Sequence, residues 1–210
     1  MEIMSPTLFP KLAQTVNELA RESTDLERRK ILQPFIDYLQ GKLARQEEIR
    51  LNFICTHNSR RSHLAQVWAQ ALAHYFALPQ VSCYSGGTEA TALFPRIAET
   101  LAASGFTVSQ LSKGINPVYS LKFSANEAAV IGFSKQFENP FNPQSHFAAV
   151  LTCAQADADC PFVAGAEKRI SIPFEDPKAF DESPQAAKKY EECSRQIASE
   201  WFYVFNQLSL

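Results

Sequence analysis

The chain has 210 residues, 46% of them hydrophobic and 20% charged, with a net charge of −2. These are the proportions of an ordinary globular protein with one core and an appendage, and they give no reason to expect nucleic acid or an anionic membrane as a partner. No apolar run approaches a bilayer span, no signal-peptide pattern opens the chain, and five cysteines make an odd, sparse set for a disulfide scaffold, so the expected compartment is the reducing cytoplasm.

Residues 1–46 read as a helical hairpin. Residues 6–20 carry Leu8, Leu12, Val16 and Leu19 at helical spacing. Ser23, Thr24 or Asp25 can cap a second helix with Ile31, Leu32, Phe35, Ile36, Leu39 and Leu43 on its inner side. Pro34 falls inside that helix and should bend it or shift its start. Such a hairpin is expected to cover one face of the core, with a homodimer contact as the alternative role.

From residue 47 the pattern alternates. Residues 49–54 form a short, mostly apolar run suited to a buried strand, and Leu64, Val67, Trp68, Ala71, Leu72 and Tyr75 then follow a helical period. Residues 80–85 read as a second strand followed by a Gly86-Gly87 turn, residues 94–104 as a helix and residues 106–108 as a short strand. Residues 121–123 and 128–134 read as two strands of a hairpin-like insertion, and residues 138–143 as a loop rich in proline and asparagine. Residues 147–152 form a clear buried strand. A last helix runs from about residue 184, with Ile197, Trp201, Val204, Phe205 and Leu208 on one face. Strands alternating with helices predict an α/β fold with a mainly parallel, doubly wound sheet covered on both faces, plus the N-terminal hairpin. The domain boundary is expected at residues 46–47, the hairpin occupying 1–46 and the α/β domain 47–210.

The chemistry concentrates where the first strand hands over to a helix, at Cys55-Thr56-His57-Asn58-Ser59-Arg60-Arg61-Ser62. A loop so placed points backbone N–H groups and the positive end of the helix dipole at one spot, which attracts oxyanions. That field, with nearby cations, favours thiolate at Cys55. Arg61 offers a planar fork of donors that matches two oxygens of a tetrahedral anion. The bare Cys-x5-Arg pattern is weak, and its alternative is a structural cysteine. Its weight comes from the strand before, the helix after, Asn58 to brace the loop and Ser62 to hydrogen-bond the thiolate.

A second group, Cys153 and Cys160, directly follows the buried strand at 147–152. Strand ends on the carboxyl side of a doubly wound sheet converge on the ligand crevice, so Cys153 can share a rim with Cys55. Three thiols in that order can pass a disulfide along; the alternative is two buried, inert thiols. Asp176, ahead of Pro177, can donate a proton to a leaving oxygen, or can simply cap a turn. Cys83 lies within a strand. Cys193 stands beside Glu191 and Glu192, which should raise its pKa and make it a poor nucleophile. No metal site is expected: there is no Cys-x2-Cys pair, and His57, His63, His74 and His146 are not spaced as ligands.

Cys-x-x-Asn-x-x-Arg-Ser after a first strand resembles the active-site loop of low-molecular-weight protein tyrosine phosphatases, and of the thioredoxin-coupled arsenate reductases that share their fold. The resemblance covers about residues 48–185. Cys153, Cys160 and the following Pro161 match the Cys-x6-Cys pair of the reductases, and Asp176 matches the Asp-Pro loop that supplies the general acid. Three positions depart. His57 stands where a small residue is usual, Arg60 where the reductases often have cysteine, and Lys178 where the phosphatases usually have an aromatic residue. The resemblance implies an arsenate reductase in which Cys55 attacks arsenate held by the loop from Thr56 to Ser62. Cys153 and Cys160 would carry away the disulfide, with no bound cofactor and with thioredoxin or another thiol donor as reductant. The alternative is a phosphatase acting through a phospho-cysteine at Cys55. A third reading is a non-catalytic oxyanion or phosphopeptide binder with His57 and Arg60 tuning the cradle.

Overall fold

The computed structural model describes residues 7–159 and 162–209. In chain order the elements are α1 (Pro10–Leu19), α2 (Leu26–Ala44), β1 (Ile49–Cys55), α3 (Arg61–Tyr75), β2 (Val81–Gly87), α4 (Pro95–Ser104) and β3 (Thr107–Gln110). Then come β4 (Tyr119–Lys122), β5 (Val130–Gly132), β6 (Phe147–Leu151), α5 (Ala154–Asp159), β7 (Ala166–Ser171), a single 3-10 turn (Pro177–Phe180) and α6 (Ala186–Asn206).

The central sheet has the order β2-β1-β6-β7, with every pairing parallel. β1 and β6 occupy the middle, and all five residues of β6 are buried, which is why β6 reads as a continuous apolar run and β1 as a mostly apolar one. The register sets Ile54 opposite Leu151 and Cys55 opposite Gly87, so the carboxyl ends of β1, β2 and β6 form one edge. Thr152 extends that edge by donating its N–H to the Ile54 carbonyl (2.7 Å). Helices α3 and α6 pack together on the core side of the sheet, while α5 packs on β1 and β6.

Several expectations are revised. The residues expected as an inserted hairpin form, with β3, a separate three-stranded antiparallel sheet of order β3-β4-β5. Gly86 and Gly87 are not a turn but the last two residues of β2, because the chain there runs against Phe137. A Cβ on Gly86 would lie 2.4 Å from the Phe137 Cα. β7 was not expected at all: its Ala-Glu-Lys-Arg-Ile-Ser composition hides an edge strand that carries only one fully buried residue, Ile170. α5, between Cys153 and Cys160, was likewise not expected.

The N-terminal helices share the main core. Leu12, Val16, Leu19, Leu32, Phe35 and Leu39 are buried in one cluster with Phe53, Trp68, Ile197 and Trp201. Asp25 is the cap of α2, accepting from the Arg28 N–H (2.8 Å), and the helix runs as one element through Pro34. Trp201 is the hub: Phe35 meets it edge-on at 5.4 Å, Phe53 at 5.5 Å and Phe174 at 5.8 Å between ring centroids. Polar ties secure the outer side of α2, with Arg28 on Glu200 (2.8 Å), Tyr38 on Glu167 (2.7 Å) and Lys42 on both Glu47 and Glu167. Among the described residues no helix is long and apolar enough to cross a membrane.

Candidate functional site

β1 ends at Cys55 and α3 begins at Arg61, so residues 56–60 form a tight loop over the carboxyl edge of the sheet. Asn58 turns it. Its φ of 44° lies in the left-handed region, where asparagine is tolerated better than most residues. The side chain then holds what the turn brings near: Nδ2 donates to Ser62 Oγ (2.9 Å), and Oδ1 accepts from the Lys135 N–H (2.9 Å). Ser62 Oγ in turn lies 3.0 Å from Cys55 Sγ.

The loop's carbonyls face outward into a frame. Thr56 O accepts from the Glu89 N–H (2.8 Å) and Thr88 Oγ1 (3.1 Å). His57 O accepts from Ser134 Oγ (2.8 Å) and Thr91 Oγ1 (3.2 Å), and Ser59 O from the Phe94 N–H (3.0 Å). Gly87 makes room for this frame, since a Cβ there would lie 2.6 Å from both Asn58 N and Thr56 O. Among the described residues none of the N–H groups of residues 56–60 donates a hydrogen bond, although the carbonyls of Thr56, His57 and Ser59 are all engaged. Unpaired N–H groups converging beside a thiol make a nest suited to an oxyanion.

Arg61 closes the nest. Nη1 donates to the Phe174 carbonyl (2.9 Å) and Nη2 to Asp176 Oδ2 (2.5 Å). Its Nε is buried and has no hydrogen-bond partner among the described residues, so this N–H is available to an anion. Asp176 reaches this place because the chain leaving β7 stays beside β6, with the Phe174 N–H on the Thr152 carbonyl (3.1 Å). Asp176 Oδ1 also accepts from the Lys178 N–H (3.0 Å), so the carboxylate faces Arg61 and caps the 3-10 turn at once. The two roles weighed from sequence are compatible.

Cys153 follows β6 on the same edge. Its Sγ lies 3.5 Å from Thr56 Oγ1 and faces the Ala156 N–H (3.3 Å). Cys55 and Cys153 belong to one small apolar cluster with Ile54, Leu151, Ala156 and Val163, and are 4% and 1% exposed. Cys160 lies outside the described residues.

Two loop side chains leave the cradle. His57 projects to the rim, Nε2 lying 3.6 Å from Glu89 Oε2. Arg60, expected to add a second cation to the cradle, turns away: Nε donates to Tyr190 Oη (2.5 Å) and Nη2 to Asp181 Oδ2 (2.5 Å). The partners that draw it off lie on the far side of the sequence, and no local pattern pointed to them. His63, the residue after Ser62, is fully buried with Nδ1 3.3 Å from Ser85 Oγ; burial, then the Lys135 ammonium, holds its imidazole down to about 3. Burial pushes the Cys83 thiol far up. Burial also pushes Cys193 up to about 12, reinforced by Asp176 and Glu200 and opposed by Arg61; Glu191 and Glu192, the expected cause, take no part. Among the described residues no group of three or more His, Cys, Asp or Glu side chains could hold a metal.

Residues 50–123 match the family model for low molecular weight phosphotyrosine protein phosphatase. Over that stretch, about a third of the chain, the sequence is similar to that family. Its fold agrees with several solved structures. A low molecular weight protein tyrosine phosphatase from T. tengcongensis aligns at a TM-score of 0.52 and 15% identity, over 77% of this chain and 100% of that one. An arsenate reductase in the phosphate binding state aligns at 0.50 and 16%, over 77% and 99%. The YwlE arginine phosphatase from Geobacillus stearothermophilus aligns at 0.50 and 15%, over 76% and 92%. At these identities the likeness is one of fold. A comparison with curated proteins finds no match. The fold is thus one that serves both phosphatases and an arsenate reductase.

Proposed function

We propose that this protein is an arsenate reductase. The observation that carries the reading is a single rim holding Cys55, the unpaired loop N–H groups, Arg61 Nε, Asp176 and a second thiol, Cys153. Arsenate enters the nest, and Cys55 thiolate attacks arsenic. Asp176 donates a proton to the departing oxygen, so water leaves and an S–As bond forms. Cys153 thiolate then attacks Cys55 sulfur. The S–As electron pair passes to arsenic, which falls from As(V) to As(III) and departs as arsenite, leaving a Cys55–Cys153 disulfide. Cys160 thiolate attacks Cys153 sulfur, frees Cys55 and closes Cys153–Cys160, which thioredoxin or another dithiol reduces.

A second reading is a phosphatase in which water hydrolyses a phospho-cysteine at Cys55. Asp176 next to Arg61 favours it equally, because both reactions need a proton donor there. Only Cys153 separates the two. NADPH consumption with arsenate, thioredoxin and thioredoxin reductase, run beside p-nitrophenyl phosphate hydrolysis, tests the choice. Cys153→Ser is expected to abolish arsenate turnover and to retain ester hydrolysis. Ester hydrolysis without any arsenate turnover by the wild-type protein would replace the reductase with the phosphatase.

A further inference from the structure

Arg60 is bound from three sides. Its Nε and Nη2 donate to Tyr190 and Asp181, and Tyr190 Oη itself donates to Asp181 Oδ1 (2.5 Å), so the three polar groups form a closed ring. The flat guanidinium lies 4.1 Å from the Phe94 ring centroid, and Phe94 stacks on Tyr190 at 5.6 Å. The Arg60 and Asp181 side chains are only 11% and 16% exposed, which strengthens a charge-assisted contact relative to a solvated one. Burial and the Asp181 acceptor push the Tyr190 hydroxyl well above an ordinary phenol, so it remains a donor.

The ring joins three parts of the chain. Arg60 belongs to the oxyanion loop, Tyr190 to α6, and Asp181 follows Asp176 by five positions, just past the 3-10 turn that Asp176 caps. Arg61 holds the same segment through Phe174 O and Asp176. An anion in the nest would compete for Arg61 donors and weaken that hold, whereas the Arg60 contacts lie outside the nest and persist. We propose that Arg60 is a positioning residue that latches the Asp176 segment to the oxyanion loop through Asp181 and Tyr190, fixing where the proton donor stands when the cradle is filled. The latch rests on the reading of Asp176 as proton donor. Only arginine fits it: lysine has neither the planar face for Phe94 nor a fork for two acceptors.

The test uses Arg60→Lys and, from the other side of the contact, Asp181→Asn. Hydrogen–deuterium exchange over residues 174–183 reads the latch itself. Turnover of phenyl phosphate against p-nitrophenyl phosphate reads proton donation, since only the poorer leaving group depends strongly on the acid. Both variants are expected to exchange faster at 174–183 and to lose phenyl phosphate turnover on the order of tenfold to a hundredfold, with a smaller loss on p-nitrophenyl phosphate. Iodoacetate labelling of Cys55, and its protection by inorganic phosphate, should be unchanged. Wild-type exchange at 174–183 in both variants would overturn the latch, as would an equal loss on the two esters. Should the wild-type protein act on neither ester nor arsenate, the reading of function fails, and the exchange result alone decides the latch.

Discussion

Arg60 and Arg61 are adjacent and chemically identical, yet one closes the nest and the other avoids it. Arg60 is the residue before α3, with φ −131° and ψ −89°, and Arg61 is the first residue of the helix, so their side chains diverge. The inward arginine, the bracing asparagine and the serine beside the sulfur were legible in the sequence because all lie within seven positions of Cys55. The outward arginine was not, because its partners are 121 and 130 positions away. The same distance effect hid Ser134 and Lys135, which hold the loop from outside. His63 gives this scale its prediction. Folded, its imidazole titrates near about 3; unfolded, near 6.5. Between those values the unfolded chain binds one more proton, so stability present above pH 6.5 is lost as pH falls, at about 1.4 kcal/mol per unit. Urea unfolding at pH 7 and pH 5 should therefore show wild type losing about 2 kcal/mol more than His63→Gln. Equal losses would mean the folded imidazole takes up its proton normally.

Among elements, those with a buried face announced themselves. β6 is apolar throughout and β1 mostly so, and the large apolar residues of α3 and α6 recur at helical spacing. α2 was readable for the same reason, and Asp25 settled its start among three candidates. The elements that went unread are short or polar: β7 with a Glu-Lys-Arg run, and α5 with six residues and two aspartates. α2 bears on the site through one aromatic stack, Phe35 on Trp201 and Trp201 on Phe174, two residues before Asp176. Phe35→Ala is expected to cost about 3–5 kcal/mol of stability in denaturant unfolding, because a fully buried ring leaves a cavity that helices on both sides cannot close. A loss under about 1 kcal/mol would show that α2 is draped on the core without being part of it.

At the scale of the molecule, residues 10–44 are continuous with the core they cover. Leu12 and Phe35 fall in the same apolar cluster as Leu51 and Trp201. Unfolding should accordingly be a single transition, with tryptophan fluorescence and far-ultraviolet circular dichroism coinciding across a urea titration. An early helical loss ahead of the fluorescence change would separate the hairpin from the rest. The parallel sheet was legible from the alternation of strands and helices. Of the second, antiparallel sheet the β4–β5 hairpin was legible, but the pairing of β3 with β4 was not, since strands of three and four residues leave too little pattern to assign distant partners.

The sheet ends at β7, and an uncovered parallel edge offers a row of free backbone groups to any neighbouring chain. Here that edge bristles. Lys168 stands exposed, Arg169 is tied back to Asp157, and Glu167 is engaged by Tyr38 and Lys42. Another strand seeking to add itself would have to bury those charges or tear them from their partners. The polar run that hid β7 from the sequence reading thus also disfavours strand addition along this edge.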